Sequence, residues 1–503
     1  MGLFENMASG FAVAFSWANL FYCAVGAVLG TAIGVLPGLG PPATIALLLP
    51  VTLKMEPVSA VIMLAGIFCG AMYGGSTTSI LLNIPGEAAS VVTCLDGYKL
   101  ARKGRAGAAL GMSAIGSFIA GTLSVLGISF MAPTLASFAL KFGPPEYFCL
   151  VFLGLMMAIY LAEESVLKGL MMASLGLLLG TVGLDPVEGA HRFTLGLDRL
   201  TDGVDFVVMA MGMFGLAEIL GNLEAVEQRE IFKTALKGLL PTVDDWKKSW
   251  KAVLRGSLLG FFIGVLPGGG AIISSFAAYA VEKRMSRHPE EFGHGAIEAV
   301  AAPESANNAA STSSFIPLLT LGIPGNASIA MIFVALMMHG VRPGPLLLTE
   351  HPDIFWGVIA SMYIGNVMLL GLNLPLIGFW VRVLRVPYRY LAAIVVTVCV
   401  IGAYSVNNSA WDVGMMVFFG VIGYVLRKFA FPAAPFILAM ILGPMLEKTL
   451  QQSLIGSGGS FLTFVERPIS AALMIAAGLL MLTPVVKRMW RRYRSRPGLS
   501  AGS

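Results

Sequence analysis

The six-residue phrase Ile33-Gly34-Val35-Leu36-Pro37-Gly38, the first phrase, occurs a second time, unchanged, as the second phrase, Ile263-Gly264-Val265-Leu266-Pro267-Gly268. Glycine also recurs at every fourth position up to the end of each copy, at Gly26, Gly30, Gly34 and Gly38 and at Gly256, Gly260, Gly264 and Gly268. This spacing predicts a helix face of small residues that packs closely against another helix. The Pro-Gly pair predicts that each helix stops there, with backbone N–H and C=O groups left free to meet a ligand.

The chain around the two copies is strongly apolar. It has 503 residues, of which 56% are hydrophobic and 12% are charged, and apolar runs of membrane-spanning length recur from end to end. We therefore expect an all-α polytopic membrane protein with about 10–12 transmembrane helices. One copy alone would be explained by a kinked packing helix, but paired breaks in two halves are typical of transporters with inverted-topology repeats and broken or re-entrant helices.

Composition and motifs argue against several other classes of protein. The net charge of +5 is modest, and the basic residues lie in short loops and the C-terminal tail, which does not indicate a nucleic-acid interface. The five cysteines lack CxxC spacing and the five histidines lack HExxH spacing, so we expect no disulfide framework, no metal site and no cofactor. No phosphate-binding GxxxxGK[ST] loop occurs, so the chain is not expected to be an ATPase.

Charge also predicts orientation and domain division. Positive charge at Lys99 to Arg105, in a linker and in the tail indicates the cytoplasmic side, with 185–205 and 447–467 outside. The N-terminus lacks a basic region, so we expect the first apolar stretch, 10–32, to remain as a transmembrane helix. The predicted parts are a first membrane repeat with additional helices (1–222), a cytoplasmic amphipathic linker (223–255), a second membrane repeat with additional helices (256–486) and a basic cytoplasmic tail (487–503).

A hydroxyl cluster precedes a second break in each half. Ser76-Thr77-Thr78-Ser79 comes before Ile84-Pro85-Gly86, and Ser311-Thr312-Ser313-Ser314 comes before Ile323-Pro324-Gly325-Asn326. Hydroxyls beside broken backbone suit a desolvated anion or a sodium ion, although they could instead satisfy the backbone of a kinked helix. The candidate substrate-binding residues are Gly38, Leu39, Gly40, Ser76, Thr77, Thr78, Pro85, Gly86, Gly268, Gly269, Gly270, Ser311, Thr312, Ser313, Pro324, Gly325 and Asn326.

The second half also contains a polar helical face. A helix beginning at Pro303 would place on one side the residues Glu304, Asn307, Asn308, Ser311 and Thr312. A carboxylate and two carboxamides at membrane depth usually line a substrate or ion pathway, so Glu304, Asn307 and Asn308 are the candidates for a coupling-ion site. The alternatives are a surface helix and a structural hydrogen-bond network.

Weaker candidates lie elsewhere in the chain. Glu87 and Asp96 could gate a pathway or bind an ion, and a solvated loop explains them equally well. Glu218 and Asn366 are lone polar residues, which are more often structural than functional.

Together these motifs resemble the large membrane subunit of the tripartite tricarboxylate transporters, the TctA type, over nearly the whole chain. The resemblance rests on the two Gly-rich phrases, Ile84 to Glu87, Asp96-Gly97-Tyr98, Ala302 to Ala309 and Gly322 to Gly325. It implies a multi-pass protein of the bacterial inner membrane with a cytoplasmic C-terminus, a secondary transporter and not an enzyme. It would import citrate-like tricarboxylates or related carboxylates by symport with Na⁺ or H⁺. The implied partners are a small four-helix membrane subunit (TctB type) and a periplasmic solute-binding protein (TctC type).

Two other functions remain open at this point. One is a membrane-embedded hydrolase or transferase, which would need a nucleophile with a base, and Ser76 or Ser311 with Glu304 has no histidine or lysine at obvious reach. The other is a passive anion channel. For a symporter we expect neutral donors to bind the anion and Glu304 to serve the cation, and Glu304 could serve either Na⁺ or H⁺.

Overall fold

Helices make up most of the structure. The computed structural model describes residues 2–36, 38–160, 165–185, 189–224, 238–268, 270–384, 386 and 388–494. Within these ranges the only β-structure is an antiparallel pair of two-residue strands, β1 (Gly183–Leu184) and β2 (His191–Arg192). The chain is an all-α polytopic membrane protein, as predicted.

The helices of the first half of the chain are α1 (Leu3–Ala14), α2 (Trp17–Val35), α3 (Pro41–Thr52), α4 (Pro57–Leu82), α5 (Val91–Leu100), α6 (Ala106–Ala139), α7 (Pro144–Tyr160), α8 (Val166–Gly180), α9 (Phe206–Ala210) and α10 (Ala217–Glu224). Short 3-10 turns lie at Ala88–Ser90, Asp198–Leu200 and Pro289–Glu291, and π-helical turns lie at Ala101–Arg105 and Met211–Leu216.

The helices of the second half are α11 (Val243–Val265), α12 (Gly270–Met285), α13 (Glu298–Ser313), α14 (Phe315–Leu321), α15 (Ala327–Met338), α16 (Leu347–Glu350), α17 (Pro352–Asn373), α18 (Ile377–Val383), α19 (Tyr388–Asn407), α20 (Ala410–Lys428), α21 (Ala433–Gly456), α22 (Thr463–Glu466) and α23 (Pro468–Arg494).

Eight helical stretches in the described part of the chain are long and apolar enough to cross a membrane, and five shorter apolar helices accompany them. The eight are Trp17–Val35, Pro57–Leu82, Ala88–Ala139, Phe206–Glu224, Pro352–Asn373, Tyr390–Asn407, Ala410–Lys428 and Ala433–Gly456. The expected first stretch, 10–32, is divided into α1 and α2. The division falls at Ser16, whose side chain caps α2 by accepting a hydrogen bond from the N–H of Asn19.

The repeated glycines form two very close helix pairs. A Cβ added at Gly30 on α2 would lie 2.3 Å from the carbonyl oxygen of Ile67 on α4. A Cβ added at Gly260 on α11 would lie 2.3 Å from the carbonyl oxygen of Ala306 on α13. The neighbouring glycines make the same contacts one turn away in each direction, which confirms the close packing predicted from their spacing.

The order of the contacts gives the direction of each pair. Gly26 and Gly34 meet Met63 and Ala71, so α2 and α4 run parallel, and Gly256 and Gly264 meet Ala302 and Ala310, so α11 and α13 also run parallel. Between the pairs the order reverses. Phe68 of α4 contacts Phe315 beyond the end of α13, whereas Ser76, later in α4, contacts Glu304 near the middle of α13. Helix α4 is therefore antiparallel to α13.

The chain forms two compact units, and both phrases lie in the first. This unit comprises residues 1–140 and 204–433. The second comprises residues 141–203 and 434–503, and within it Glu146 accepts hydrogen bonds from Arg467 (2.5 Å) and Ser470 (3.0 Å). These units do not follow the predicted division into a first repeat, linker, second repeat and tail, which stays a prediction.

The predicted linker 223–255 lies partly outside the described residues, since 225–237 are not among them. Its last part is the beginning of α11, which continues without interruption into the second phrase. Thr242 and Asp245 cap this helix reciprocally, and Asp245 pairs with Arg105 at 2.5 Å. In the predicted tail, residues 495–503 also lie outside the described residues.

Candidate functional site

The polar face of α13 lies in the interior of the first unit. Helix α13 begins at Glu298, so Pro303 stands inside it and not at its first position as predicted. Pro303 has no N–H to donate within the helix. From Ala299 to Ser313 every residue is buried, so the interpretation of this face as a surface helix is wrong.

The carboxylate of Glu304 is held by hydroxyl groups from three other helices. Ser76 of α4 and Thr93 of α5 donate short hydrogen bonds to it, and Ser113 of α6 donates at 3.2 Å. Glu304 is 1% exposed, and within the described residues no basic side chain forms an ion pair with it. Burying an unpaired carboxylate is costly, so this residue is a strong functional candidate.

Asn307 connects the same helix to the second break of the first half. Its amide nitrogen donates to the carboxylate of Glu87 at 3.0 Å, and the N–H of Ala89 donates to the other Glu87 oxygen at 2.6 Å. Glu87 is 8% exposed, so the interpretation of this residue as part of a solvated loop is wrong. The amide oxygen of Asn307 is buried and has no hydrogen-bond partner.

Asn308 faces a different set of residues. Its amide nitrogen donates to the hydroxyl of Ser117 at 2.8 Å and to the backbone carbonyl of Glu304 at 3.1 Å. Asn308 and Thr312 line a small cavity among α2, α4, α6 and α17, together with Cys69, Tyr73 and Asn366. The structure therefore places Asn308 beside the cavity and Asn307 beside Glu87, so the two adjacent amides do not meet at one point.

Asn366, which the sequence left as a lone polar residue, links three helices. Its amide oxygen accepts from Tyr73 at 2.5 Å, and its amide nitrogen donates to the carbonyl of Phe118 (2.8 Å) and the hydroxyl of Thr122 (2.9 Å). Its contacts are those of a structural residue at the edge of the cavity.

Most of the predicted hydroxyl donors bond to backbone carbonyls. Thr78 donates to Val35 at 2.7 Å, and Ser311 and Thr312 donate to the carbonyls four residues earlier, both at 2.8 Å. Ser313 donates to Ala310 at 3.3 Å, and Thr77 is buried on α4. Ser76 is the member of the two clusters that reaches the Glu304 carboxylate. The substrate role assigned to these hydroxyls stays a prediction.

The glycine contacts also show which positions of the two halves correspond. Gly26 of the first pair contacts Met63, and Gly256 of the second pair contacts Ala302, so Ala302 corresponds to Met63. With the same offset along the chain, Pro324 corresponds to Pro85. Ser311 then takes the place of Met72 and not of Ser76. The two hydroxyl clusters are therefore displaced from one another by about one helical turn.

Side chains from α10 form hydrogen bonds with the backbone of the first Pro-Gly break. The N–H of Gly40 donates to the carboxylate of Glu218 at 3.2 Å, and the side chain of Asn222 donates a short hydrogen bond to the carbonyl of Gly38. Gly38 has a φ of +106°, which favours glycine, and Leu39 beside it is 3% exposed. Pro37 lies outside the described residues.

The second Pro-Gly break is closed by backbone of its own half. The N–H of Gly268, which has a φ of +102°, donates to the carbonyl of Gly325 at 2.7 Å. Asn326 caps α15 by accepting a hydrogen bond from the N–H of Ile329 at 3.0 Å. Gly270 begins α12, Pro324 is buried, and Gly269 lies outside the described residues.

Gly86 supports the packing around the second break of the first half. A Cβ at Gly86 would lie 2.1 Å from the carbonyl oxygen of Gly34 and 2.5 Å from the Cα of Gly75. Pro85 precedes this contact. The Ile-Pro-Gly break therefore rests directly on the helix pair made by the first phrase.

Asp96 has a structural role in this arrangement. Its carboxylate accepts hydrogen bonds from the N–H groups of Gly293, Gly295 and Ala296 at 2.7–3.0 Å and from the hydroxyl of Tyr279 at 2.9 Å. It is fully buried, so the solvated-loop interpretation is wrong for this residue as well. Its bonds fix the loop before α13 against α5.

Sequence reasoning missed several residues of the site. Thr93, Ser113 and Ser117 are single hydroxyls in apolar stretches, and no spacing relates them to Glu304. Glu218 and Asn222 lie four residues apart, which would have indicated one face of a helix, but not that this face meets the first break. Within the described residues, no group of three or more His, Cys, Asp or Glu side chains is placed to hold a metal ion.

Comparison with known proteins identifies the family. The model of the tripartite tricarboxylate transporter TctA family matches residues 20–438. The chain belongs to the TctA family. This membership supports a role as the large membrane subunit of a tripartite tricarboxylate transporter, and it confirms the resemblance seen in the motifs.

Two relatives of this TctA-family chain come from Agrobacterium vitis. An "uncharacterized 52.8 kDa protein in TAR-I ttuC' 3'region" is 50% identical over 490 residues, which covers 97% of this chain and 98% of the relative. An "uncharacterized protein in TAR-II ttuC' 3'region" is 50% identical over 231 residues, which covers 45% of this chain and 96% of the relative. No solved structure matches the chain.

Proposed function

We propose that this TctA-family subunit imports tricarboxylates or related carboxylates by symport with a cation, Na⁺ or H⁺. The observation that carries the proposal is the Glu304 carboxylate, buried where α4, α5, α6 and α13 meet, with hydroxyl donors and no basic partner among the described residues. A carboxylate in that position is stabilised when a cation binds beside it.

The charge of the substrate supports separate binding sites for the anion and the cation. A multiply charged anion crosses a membrane at lower electrical cost when cations accompany it. The protein avoids adding a negative charge of its own beside the anion if neutral donors bind the substrate. We therefore assign the anion to the Pro-Gly breaks and the second hydroxyl cluster, and the cation to Glu304.

The contacts of Ser76 change one assignment made from the sequence. Ser76 donates to Glu304, so we place it on the cation side of the site and not on the substrate side. In the proposed cycle, cation binding at Glu304 and substrate binding at the breaks are reciprocally coupled, by about 1–3 kcal/mol as is usual for linked sites.

The family also suggests the assembly. We propose that the chain works in the bacterial inner membrane with a small four-helix subunit of the TctB type and a periplasmic solute-binding protein of the TctC type. The binding protein would deliver the carboxylate from the periplasm. Co-purification of the three proteins from one membrane preparation would test this assembly, and a fully active chain without the other two would contradict it.

We further propose that the two helix pairs belong to inverted-topology repeats, with the C-terminus in the cytoplasm. The parallel order within each pair and the antiparallel order of α4 and α13 support this proposal. In such an arrangement α2 and α11 enter the membrane from opposite sides.

Cysteine labelling in intact cells tests the orientation. With a membrane-impermeant maleimide, Ser16→Cys is expected to react from outside, whereas Arg102→Cys is expected to react only after the cells are opened. The wild-type chain, whose five cysteines are buried or partly buried, is the control for background labelling. Reaction of Arg102→Cys from outside in intact cells would overturn the orientation.

The decisive test of the coupling role compares two substitutions in proteoliposomes. Glu304→Gln is expected to weaken the dependence of carboxylate uptake on Na⁺ or pH more than it weakens substrate affinity at saturating cation. Ser311→Ala is expected mainly to raise the apparent substrate constant. If uptake stays robust and its cation dependence is unchanged in Glu304→Gln, the cation binds elsewhere and Glu304 is structural.

The wild-type measurement separates this proposal from a passive channel. A symporter accumulates the unmodified carboxylate against its own gradient when an ion gradient is imposed. Equilibration without accumulation would contradict the symport proposal.

A further inference from the structure

We propose that Glu87, Asn307 and Glu304 form one binding site for a single monovalent cation, a sodium ion or a proton. The inference rests on the proposed symport and specifies where its cation binds. It adds the carboxylate of Glu87, which follows the second break of the first half, and it leaves Asn308 out of the site.

The position of Glu87 supports this site. Its two carboxylate oxygens accept hydrogen bonds from the Asn307 amide and from the N–H of Ala89. Both donors are neutral, so neither of them compensates the negative charge of the Glu87 carboxylate. Glu87 also interacts electrostatically with Glu304, the other buried carboxylate.

The amide oxygen of Asn307 is buried and has no hydrogen-bond partner. It shares a carbon atom with the amide nitrogen that donates to Glu87, so it lies next to that contact. A buried acceptor without a donor is costly, and a bound cation supplies what is missing. Carboxylate and amide oxygens are ligands that suit hard cations such as Na⁺.

The charge balance around Glu87 and Glu304 also favours a bound cation. Among the described residues, neither carboxylate forms an ion pair with lysine, arginine or histidine. Two like charges near one another in a buried place repel, and one cation between them relieves that repulsion.

The other titratable groups on the packed elements do not supply this charge. Asp96 of α5 and Tyr279 of α12 bond to one another and to the loop before α13, and Tyr73 of α4 donates to Asn366. Cys94 of α5 interacts electrostatically with both carboxylates as a further acidic group. Three further charged groups lie near the ends of these helices and have other partners. Glu282 of α12 pairs with Arg255, and Glu298 of α13 accepts a hydrogen bond from Ser286. Lys99 of α5 donates to the carbonyl of Gly293.

The position of this site suggests how it acts. Glu87 follows the Ile84-Pro85-Gly86 break, and Gly86 rests on the first phrase through Gly34. A cation between Glu87 and Glu304 would therefore hold the break of the first half against the polar helix of the second half. Its departure would leave two repelling carboxylates, which favours separation of these elements.

The test is thermal unfolding of the purified full-length chain, with NaCl replaced by choline chloride at constant ionic strength, between pH 5.5 and 8.5. Stabilisation by Na⁺ relative to choline would identify a sodium site. Stabilisation that grows as the pH falls, equally in both salts, would identify a proton site, because protons taken up by the folded protein stabilise it.

The variants assign this response to the three residues. Glu87→Gln and Glu304→Gln are each expected to raise the half-saturating Na⁺ concentration at least about tenfold, or to remove the pH-dependent stabilisation. Asn307→Asp is expected to lower the half-saturating Na⁺ concentration, or to shift the pH-dependent stabilisation to higher pH, because it adds a negative charge at the unpartnered oxygen. Glu146→Gln is the matched control, since Glu146 is equally buried but already paired with Arg467.

The following results would contradict the proposed cation site. The proposed site is wrong if the wild type shows neither stabilisation by Na⁺ nor stabilisation that grows as the pH falls, or if Glu87→Gln responds like the wild type. If Glu87→Gln does not fold, Glu87→Asp and Asn307→Asp must still shift the response, and an unchanged response in both is equally contradictory.

The failure of the site and the failure of the symport proposal give different results. Cation-dependent uptake that is unchanged in Glu87→Gln would leave symport standing and remove Glu87 from the site. Cation binding without accumulation of a carboxylate would leave the site standing and contradict symport.

Discussion

The two copies of the six-residue phrase make the same helix pair and then differ in the groups that bond to the turn that follows. In both, glycines bring one helix into backbone contact with a second, parallel helix. After the first copy, the break is closed by Glu218 and Asn222 of α10. After the second copy, the break is closed by the backbone of Gly325, and α12 returns along α11, where Arg255 pairs with Glu282 at 2.5 Å.

The difference shows that an identical sequence fixes only the local contact. The first break meets a carboxylate of the protein itself, so the N–H of Gly40 is already occupied by a negative group. At the second break, the hydrogen bond that the described residues show for the N–H of Gly268 goes to a backbone group, the carbonyl of Gly325. We therefore expect the second break to be the more accessible of the two to an anionic substrate.

The largest expected effect comes from breaking the feature that the copies share. Gly30→Ala and Gly260→Ala each place a Cβ 2.3 Å from a backbone carbonyl oxygen. Each is expected to destabilise the protein by roughly 1–3 kcal/mol or more, because backbone cannot move aside as a side chain can. The measurement is the melting temperature of the purified protein in detergent.

Gly371→Ala in α17 is the control, since a Cβ there meets nothing within 4 Å. It is expected to melt at or slightly above the wild-type temperature. If Gly260→Ala melted like Gly371→Ala, the close packing of the second pair would be refuted.

The next effect concerns the breaks themselves. Gly38→Val and Gly268→Val force a branched residue into a backbone conformation with positive φ, at a cost of roughly 1–3 kcal/mol, and block close approach to the turn. Both are expected to abolish uptake while the protein remains in the membrane. Uptake and membrane content are measured in the same cells.

Gly414→Val in α20, where a Cβ would meet nothing within 4 Å, is the matched control and is expected to transport. Loss of uptake in only one of the two phrase variants would show that one break alone serves transport. Normal uptake in both would end the claim that these turns form the site.

The smallest effect separates the two closures. Glu218→Ala leaves the partly buried N–H of Gly40 without its acceptor and is expected to cost about 0.5–1.5 kcal/mol, whereas Glu218→Gln keeps an acceptor and is expected to cost less. Thermal unfolding of both variants checks this order. Equal stability of Glu218→Ala and the wild type would show that the hydrogen bond contributes nothing to closing the first break.

Much of the fold could be predicted because its determinants are local. The glycine spacing predicts the close helix pairs, and the apolar runs predict a polytopic helical protein, since both depend on residues a turn or a span apart. The interior position of Pro303 could not be predicted. Burial of the whole of α13 holds a helix through the proline, against the local preference for a first-turn position.

The site was predictable in part. Glu304 stands out because a carboxylate in an alanine-rich apolar segment is rare, and the structure places it at the junction of four helices. The sequence grouped Asn308 with it through helical periodicity, which describes one face but not what lies opposite. Glu87 was left undecided because its surroundings depend on how the Ile84-Pro85-Gly86 break packs.

The sequence by itself determined the class of protein, the duplicated helix pair, the breaks and the family, because each of these is written in composition, spacing or continuous motifs. Only the tertiary structure decided which groups surround Glu304 and Glu87 and which partner closes each break. Thr93, Ser113, Glu218 and Gly325 reach their partners from distant parts of the chain. Such contacts follow from the way whole helices pack, and no short-range pattern in the sequence encodes them.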